Sequence, residues 1–262
     1  MHKSGLRDSL WQIVRNLNEK LTAKLQTKYG LTRDIKIKDS IRQGGVLSVI
    51  QYALLIDEIN KEIQNCGLAD ISEGITEVIA CCLLWMDDVA LMSTDPSNLQ
   101  KMLDVTSDIA NRFHIEFGEP ESKILKIGSG KDNPIFNLGQ VILEYTDKYK
   151  YLGELFNSKG NLADHITEVK GKAEAAYQTM LTIAGNKHFH NIQMKTIWKM
   201  VETCIIPILT YAGETRTPNK TENKHLNNIL DNIIKRILMV PKTTPHEVIY
   251  IETGLMDIEH TT

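Results

Sequence analysis

Two adjacent carboxylates, Asp87 and Asp88, are the residues of this sequence best suited to carry chemistry. They lie between two apolar stretches of strand length, residues 78–84 and 89–92, which predicts a tight hairpin with both side chains at its tip. Like charges side by side at the end of buried strands would repel each other and lose solvation. A divalent cation removes both costs, and Mg²⁺ takes one or two protein carboxylates together with substrate phosphates. The pair is a candidate metal site, and the alternative is an ordinary acidic turn.

A glycine-containing segment, Arg42-Gln43-Gly44-Gly45, leads into a predicted helix over residues 47–64. Gly44 and Gly45 allow a ligand to approach the backbone closely, and Gln43 can donate and accept hydrogen bonds. The N-terminus of the helix that follows favours phosphate. The segment is therefore a candidate contact for a nucleotide or for a nucleic-acid backbone.

A second candidate contact lies downstream, at Tyr149-Lys150-Tyr151-Leu152-Gly153. These residues fall in a predicted hairpin over residues 141–156, with its turn at Thr146-Asp147-Lys148. A strand at this place suits a protein that grips a nucleic-acid backbone. A purely structural hairpin is the alternative.

The remaining pattern predicts an α+β fold in which helices pack on an antiparallel sheet. A further hairpin is predicted around Gly30. Apolar residues at helical spacing predict helices over residues 6–25, 47–64 and 96–114, and then from Asn161, Asn191 and about Glu222. In the second of these helices, the side chains predicted to face inward are Ile50, Leu54, Ile59 and Ile63. Because the pattern becomes mostly helical after Gly160, we place a domain boundary there.

The composition is that of a globular protein, with 262 residues, 42% hydrophobic and 24% charged. A net charge of −3 argues against a simple basic nucleic-acid binder, although residues 1–50 hold ten Lys and Arg against four Asp and Glu. The sequence predicts no membrane span and no signal peptide. Four cysteines without Cys-x-x-Cys spacing indicate a reduced, intracellular protein, nuclear or cytoplasmic. A zinc site from His188, His190 and Cys204 lacks ligand spacing.

Taken together, the order and spacing of these motifs resemble the reverse transcriptase of LINE-type (non-long-terminal-repeat) retrotransposons. The aspartate hairpin resembles the family's aromatic-x-Asp-Asp motif, with Trp85 where Tyr or Phe is usual. Residues 42–48 resemble its template- and nucleotide-contacting motif, and Tyr151-Leu152-Gly153 resembles its primer grip. Residues 206–215 and Thr244-Pro245-His246-Glu247 resemble stretches that these elements carry beyond the polymerase core.

The resemblance implies a role for each matching residue. Asp87 and Asp88 would bind Mg²⁺ or Mn²⁺ for two-metal nucleotidyl transfer. The residues expected to contact template or incoming nucleotide are Arg42, Gln43, Gly44 and Trp85, and those expected to hold the primer end are Tyr151, Leu152 and Gly153. The implied partners are an RNA template, a DNA primer and a dNTP. The implied architecture is a partial palm-like sheet with packed helices over residues 1–160 and a helical thumb with a C-terminal extension over residues 161–262.

Two departures from the family pattern bear on activity. Glu121 stands where the family has a lysine, which leaves Lys123 as the candidate phosphate contact, or as an ordinary solvated loop residue. No residue before Ser40 matches the family's third metal-binding aspartate, so we expect the fingers and the first catalytic strand to be missing and the isolated chain not to polymerise DNA. The alternatives are a non-catalytic degenerate or domesticated protein that binds nucleic acid or a partner, and an unrelated metal-dependent hydrolase.

Overall fold

The computed structural model describes residues 7–19, 21–37, 45, 47–68, 72–73, 78–79, 81–130, 132–185, 189, 192–213, 215, 219–255 and 258. These residues form an α+β fold, as predicted. The helices are α1 (Asp8–Asn18), α2 (Ser48–Asn65), α3 (Pro96–Phe113), α4 (Ala163–Ile183), α5 (Met194–Cys204), α6 (Ile206–Thr210), α7 (Lys220–Leu238) and α8 (His246–Thr253). The strands are β1 (Thr22–Ala23), β2 (Gln26–Thr27), β3 (Gly30–Leu31), β4 (Ile35–Lys36), β5 (Ser72–Glu73), β6 (Val78–Ile79), β7 (Cys82–Trp85), β8 (Asp88–Leu91), β9 (Lys123–Leu125), β10 (Phe136–Leu138), β11 (Val141–Thr146), β12 (Lys148–Tyr151) and β13 (Glu154–Asn157).

Local capping interactions fix where two of the predicted helices, α3 and α7, begin. At α3, Asp95 accepts a hydrogen bond from the N–H of Ser97 at 3.2 Å, and a proline occupies the first turn. At α7, the Asn219 side chain accepts from the N–H of Glu222, and the Glu222 carboxylate accepts from the N–H of Asn219, each at 2.9 Å. This reciprocal arrangement is a capping box.

The structure corrects the strand predictions in two places. Residues 78–84 do not form one strand, because β6 pairs with β5 and β7 pairs with β8. The hairpin predicted around Thr146-Asp147-Lys148 is also wrong, because β11 pairs with β10 and β12 pairs with β13. The actual β12–β13 turn is Leu152-Gly153, and both residues have the positive φ of a type I′ turn, 48° and 86°. The hairpin near Gly30 is confirmed by the pairing of β2 with β3.

The chain divides into two compact units, of which the first comprises Met1–Ile124 and Lys131–Glu144. Its core lies between α2 and α3, where Ile59, Ile63 and Met102 are fully buried. The predicted inward position of Ile50 is wrong, since this side chain is 57% exposed. The buried stripe of α2 instead begins at Tyr52 and continues through Ile56, Ile59 and Ile63.

The second unit comprises Leu125–Gly130 and Tyr145–Thr262. Its helices share one apolar core, in which Leu209, Leu230 and Ile234 are fully buried. Gly160, where the sequence predicts a change of domain, lies within this unit. In the described part of the chain, no helix combines the length and the apolarity that crossing a membrane requires.

The β12–β13 hairpin belongs to the second unit because it packs against α4. Lys148 pairs with Asp164 at 2.5 Å, and Lys150 pairs with Glu168 at 2.6 Å. The N–H of Leu155 also donates to Nδ1 of His165, a buried residue of α4, at 3.3 Å. The predicted primer-holding residues are therefore fixed to the helical part of the chain.

Candidate functional site

The aspartate pair lies where the sequence predicts it, at a hairpin tip. β7 and β8 are antiparallel, and Trp85 is the partner of Asp88, so Met86 and Asp87 form a two-residue turn. Met86 has a φ of 53°, and the favoured two-residue hairpin turns require a positive φ at this first position. A side chain there costs about 1–2 kcal/mol relative to a right-handed conformation. The turn is held in this strained shape although a methionine, not a glycine, occupies it.

The strands of this hairpin, which the sequence predicts to be buried, are exposed on one face. Leu83 is 43% exposed and Trp85 is 60% exposed, and both aspartates are exposed as well. The reason is that only the opposite face of the hairpin, with Leu84 and Leu91, packs against the α2–α3 core. The aspartates therefore keep their hydration, and the case for a cation depends on two adjacent like charges rather than on desolvation.

Tyr52 is a candidate site residue that sequence reasoning missed. Burial raises the pKa of its phenol, and the negative charge of Asp87 raises that pKa further. The second turn of α2 therefore lies within electrostatic reach of Asp87. Tyr52 stands at the head of the buried stripe of α2, and correct assignment of that stripe from the sequence would have identified it.

The donor set at the hairpin tip fits a hard cation. Two exposed carboxylates supply oxygen ligands only, and Mg²⁺ accepts such a partial set because water and substrate phosphate complete its coordination. The Cys82 thiol lies at the other end of β7 and packs against the α2–α3 core, and this burial raises its pKa to about 12. Among the described residues, no cluster of three or more His, Cys, Asp and Glu is placed to hold a metal ion. His188 and His190 lie outside those residues.

The predicted template- and nucleotide-contacting residues Arg42, Gln43 and Gly44 lie outside the described residues. The helix that they lead into is confirmed: α2 begins at Ser48, whose N–H donates to the carbonyl of Gly45 at 3.0 Å. Tyr52 therefore lies on α2, the helix that begins shortly after the Arg42-Gln43-Gly44 segment.

Lys123, the predicted phosphate contact, does not lie on an exposed loop. It is the first residue of β9, its side chain is 25% exposed, and its ammonium pairs with Glu144 at 2.7 Å. Hydrogen bonding and charge from Lys123 lower the pKa of the Glu144 carboxyl. A phosphate would therefore have to compete with a carboxylate for this lysine.

The predicted primer-holding residues Tyr151, Leu152 and Gly153 form the tip of the β12–β13 hairpin. Tyr151 pairs with Glu154 across the strands, and the other two residues form the turn. Glu168 on α4 accepts from both Lys150 and Lys172, and these hydrogen bonds lower its pKa from 4.5 to about 2. The hairpin base is thus held to α4 by a carboxylate that stays ionised well into the acidic range.

This pKa predicts a pH-dependent attachment of the hairpin. A folded-state pKa depressed from 4.5 to about 2 contributes stability that is present above pH 4.5 and is lost as pH falls toward 2. We expect the protection of the amides in residues 148–157 of the wild type, relative to their intrinsic exchange rate at each pH, to fall over this window. The Glu168→Gln variant should exchange faster at neutral pH and show a flatter pH dependence. Glu202→Gln, which removes the carboxylate of an exposed pair on α5, serves as the control, and equal pH profiles for wild type and Glu168→Gln would contradict the assignment.

The chain is similar to an uncharacterized transposon-derived protein of Caenorhabditis elegans, with 21% identity over 168 residues. The match covers 63% of this chain and 59% of that protein, so the chain spans about three fifths of the length of the curated relative it matches. No family profile matches the chain, and no solved structure matches it significantly. The similarity indicates a transposon origin.

Proposed function

We propose that this chain is part of an RNA-directed DNA polymerase of a LINE-type retrotransposon, with Asp87 and Asp88 as two of the carboxylates that bind its catalytic Mg²⁺ or Mn²⁺. The observation that carries the proposal is the aspartate pair at the tip of a two-residue hairpin, within reach of the helix that follows the Gln43-Gly44 segment. The transposon-derived relative supports the origin. The β7–β8 hairpin and the α2–α3 layer would then form part of a polymerase palm.

Each residue at the tip has a distinct part in this proposal. Asp87 and Asp88 hold the cation, which when bound neutralises phosphate charge and activates the attacking oxygen. Trp85 presents an exposed aromatic surface beside Asp88, and such surfaces stack on bases. Tyr52 packs against the α2–α3 core, close enough to Asp87 for the charge of that carboxylate to raise the pKa of its phenol.

The β12–β13 hairpin would hold the primer end through its main chain. In a β-turn the closing hydrogen bond joins the first and fourth residues, which are Tyr151 and Glu154 here. The N–H groups of Leu152 and Gly153 take no part in that bond and can donate to a phosphate. Main-chain donors of this kind position a nucleic acid without reading its sequence.

Within these 262 residues, no aspartate matches the third carboxylate of such a site. Phosphoryl transfer depends on positioning and electrostatics, so a site with two of three metal ligands loses several powers of ten in rate. We therefore expect the 262-residue chain to bind a primer–template without extending it. Robust, Asp87-dependent extension by this chain would contradict that expectation, and template-independent hydrolysis would favour a hydrolase.

Photo-crosslinking tests the binding role directly. A DNA primer with 4-thiothymidine at its 3′ end is annealed to an RNA template, irradiated with the chain, and the crosslinked peptide is identified by mass spectrometry. The proposal predicts crosslinks in residues 148–157, strengthened by Mg²⁺. Crosslinks spread over the whole surface, with equal yield from an unpaired DNA strand, would contradict it.

One observation favours a non-catalytic nucleic-acid-binding protein as a second candidate. Glu121 replaces the family's lysine, and Lys123 is paired with Glu144. The site thus offers no uncommitted lysine in β9 for the leaving phosphate. This candidate predicts primer–template binding that is unchanged when Mg²⁺ is removed or when Asp87 is replaced.

A further inference from the structure

One tyrosine side chain holds the turn of the β12–β13 hairpin from outside the hairpin. Tyr211 donates a hydrogen bond from Oη to the main-chain carbonyl of Leu152 at 2.6 Å, across 59 positions of sequence. Both residues belong to the second unit. Tyr211 lies in the 206–215 stretch, to which the proposed polymerase chemistry assigns no role.

The turn is shaped to receive this side chain. Gly153 has a φ of +86°, and a Cβ on it would lie 3.1 Å from both Cε1 and Oη of Tyr211. The ring therefore occupies the space that a side chain at this position would take. Leu152 has a φ of 48°, a conformation that is unfavourable for leucine and persists only where surrounding contacts enforce it. The hydrogen bond from Tyr211 is such a contact.

Tyr211 is anchored although it is itself exposed. It directly follows α6, whose Ile206 and Leu209 are buried in the core of the helical unit. The tyrosine side chain remains 52% exposed, and the turn it contacts is also at the surface. A contact between exposed groups adds little to stability, so its main effect is to fix where the turn lies relative to the helices.

We infer that Tyr211 is a positioning residue that fixes the Leu152-Gly153 turn for contact with the primer end, an inference that rests on the proposed function of the hairpin. The Tyr211 hydroxyl donates its hydrogen bond to the carbonyl oxygen of Leu152. Without that bond, the partial negative charge of this oxygen would repel a phosphate. The two turn N–H groups are then the groups the turn presents to a ligand. Tyr211 thus fixes the position of the turn and leaves its N–H groups as the hydrogen-bond donors that a phosphate meets.

The test compares Tyr211→Phe, which keeps the ring and loses the donor, with Tyr29→Phe, the same change at a side chain 87% exposed in the first unit. Tyr211→Phe should keep the thermal midpoint within a few degrees, because it removes a single surface hydrogen bond. Amide exchange in residues 148–157 should accelerate about three- to tenfold. This factor corresponds to the net contribution of one neutral hydrogen bond to the free energy of opening the hairpin. Crosslinking of the 3′-terminal 4-thiothymidine to the hairpin should fall, because the turn is no longer fixed for contact with the primer end.

A second variant, Gly153→Ala, pushes a methyl group against the Tyr211 ring and should lower the crosslinking yield in the same way. The inference is overturned if the wild type crosslinks to the hairpin and Tyr211→Phe crosslinks equally well, whether or not its amide exchange changes. If the wild type gives no crosslink, the primer-holding role of the hairpin fails, and the inference falls with it. Loss of crosslinking in both variants with an unchanged Tyr29→Phe control supports the inference.

Discussion

Replacement of Asp87 or Asp88 by asparagine is expected to weaken Mn²⁺ binding by at least about 100-fold. Loss of an outer-shell partner of a metal ligand already costs about 10–100-fold in affinity, and these substitutions remove a charged ligand itself. Both side chains are exposed, and the pairing of β7 with β8 is made by the main chain, so the fold should tolerate either change. Titration of the chain with Mn²⁺, followed by the electron paramagnetic resonance of the free ion, measures the affinity.

Asp108→Asn provides the matched control for this titration. Asp108 is an exposed aspartate on α3 in the same unit, so the change in net charge is identical. It should leave Mn²⁺ affinity unchanged. If Asp87→Asn and Asp108→Asn bind the ion equally well, the hairpin is an acidic turn and not a metal site.

The second large effect concerns the stability of the helical unit. Ile234 on α7 is fully buried within the cluster formed by α4 to α8. Ile234→Ala removes its outer methyl groups and leaves a cavity, which costs about 2–5 kcal/mol. That is a large share of the roughly 5–15 kcal/mol by which a domain is stable. Hydrogen exchange of peptides from α4 and α7 under mildly denaturing conditions should report the loss.

Ile251→Ala makes the same chemical change at an exposed position. Ile251 lies on α8 and is 83% exposed. Its replacement should alter stability by less than about 0.5 kcal/mol. Similar destabilisation by the two variants would show that the α7 side chain does not occupy a packed core.

Sequence reasoning succeeded where structure depends on neighbouring residues. The start of α3 at Asp95-Pro96 depends on a cap and a proline within one turn. The β12–β13 pairing was missed because the expected turn at residues 146–148 is polar, whereas the actual turn places a leucine at positive φ. The contact from Tyr211 that favours this turn comes from a distant part of the chain.

The candidate site shows the same division. The position of Asp87 and Asp88 at a hairpin tip could be predicted, because the apolar flanks and the turn are adjacent in sequence. The exposure of Trp85 could not, because it depends on which face of the hairpin packs against α2 and α3. Tyr52 and the ion pair of Lys123 were missed for the same reason, since each involves a partner from another element.

Localized cleavage by bound iron tests the metal site most directly. Fe²⁺ takes the place of Mg²⁺ at oxygen ligands, and with ascorbate and peroxide it cleaves the polypeptide beside its binding site. We predict backbone cleavage of the wild-type chain at the β7–β8 hairpin, suppressed by excess Mg²⁺ and absent in Asp87→Asn and Asp88→Asn. Cleavage elsewhere with none at the hairpin, or hairpin cleavage that persists in both variants, would contradict the assignment of Asp87 and Asp88 as metal ligands.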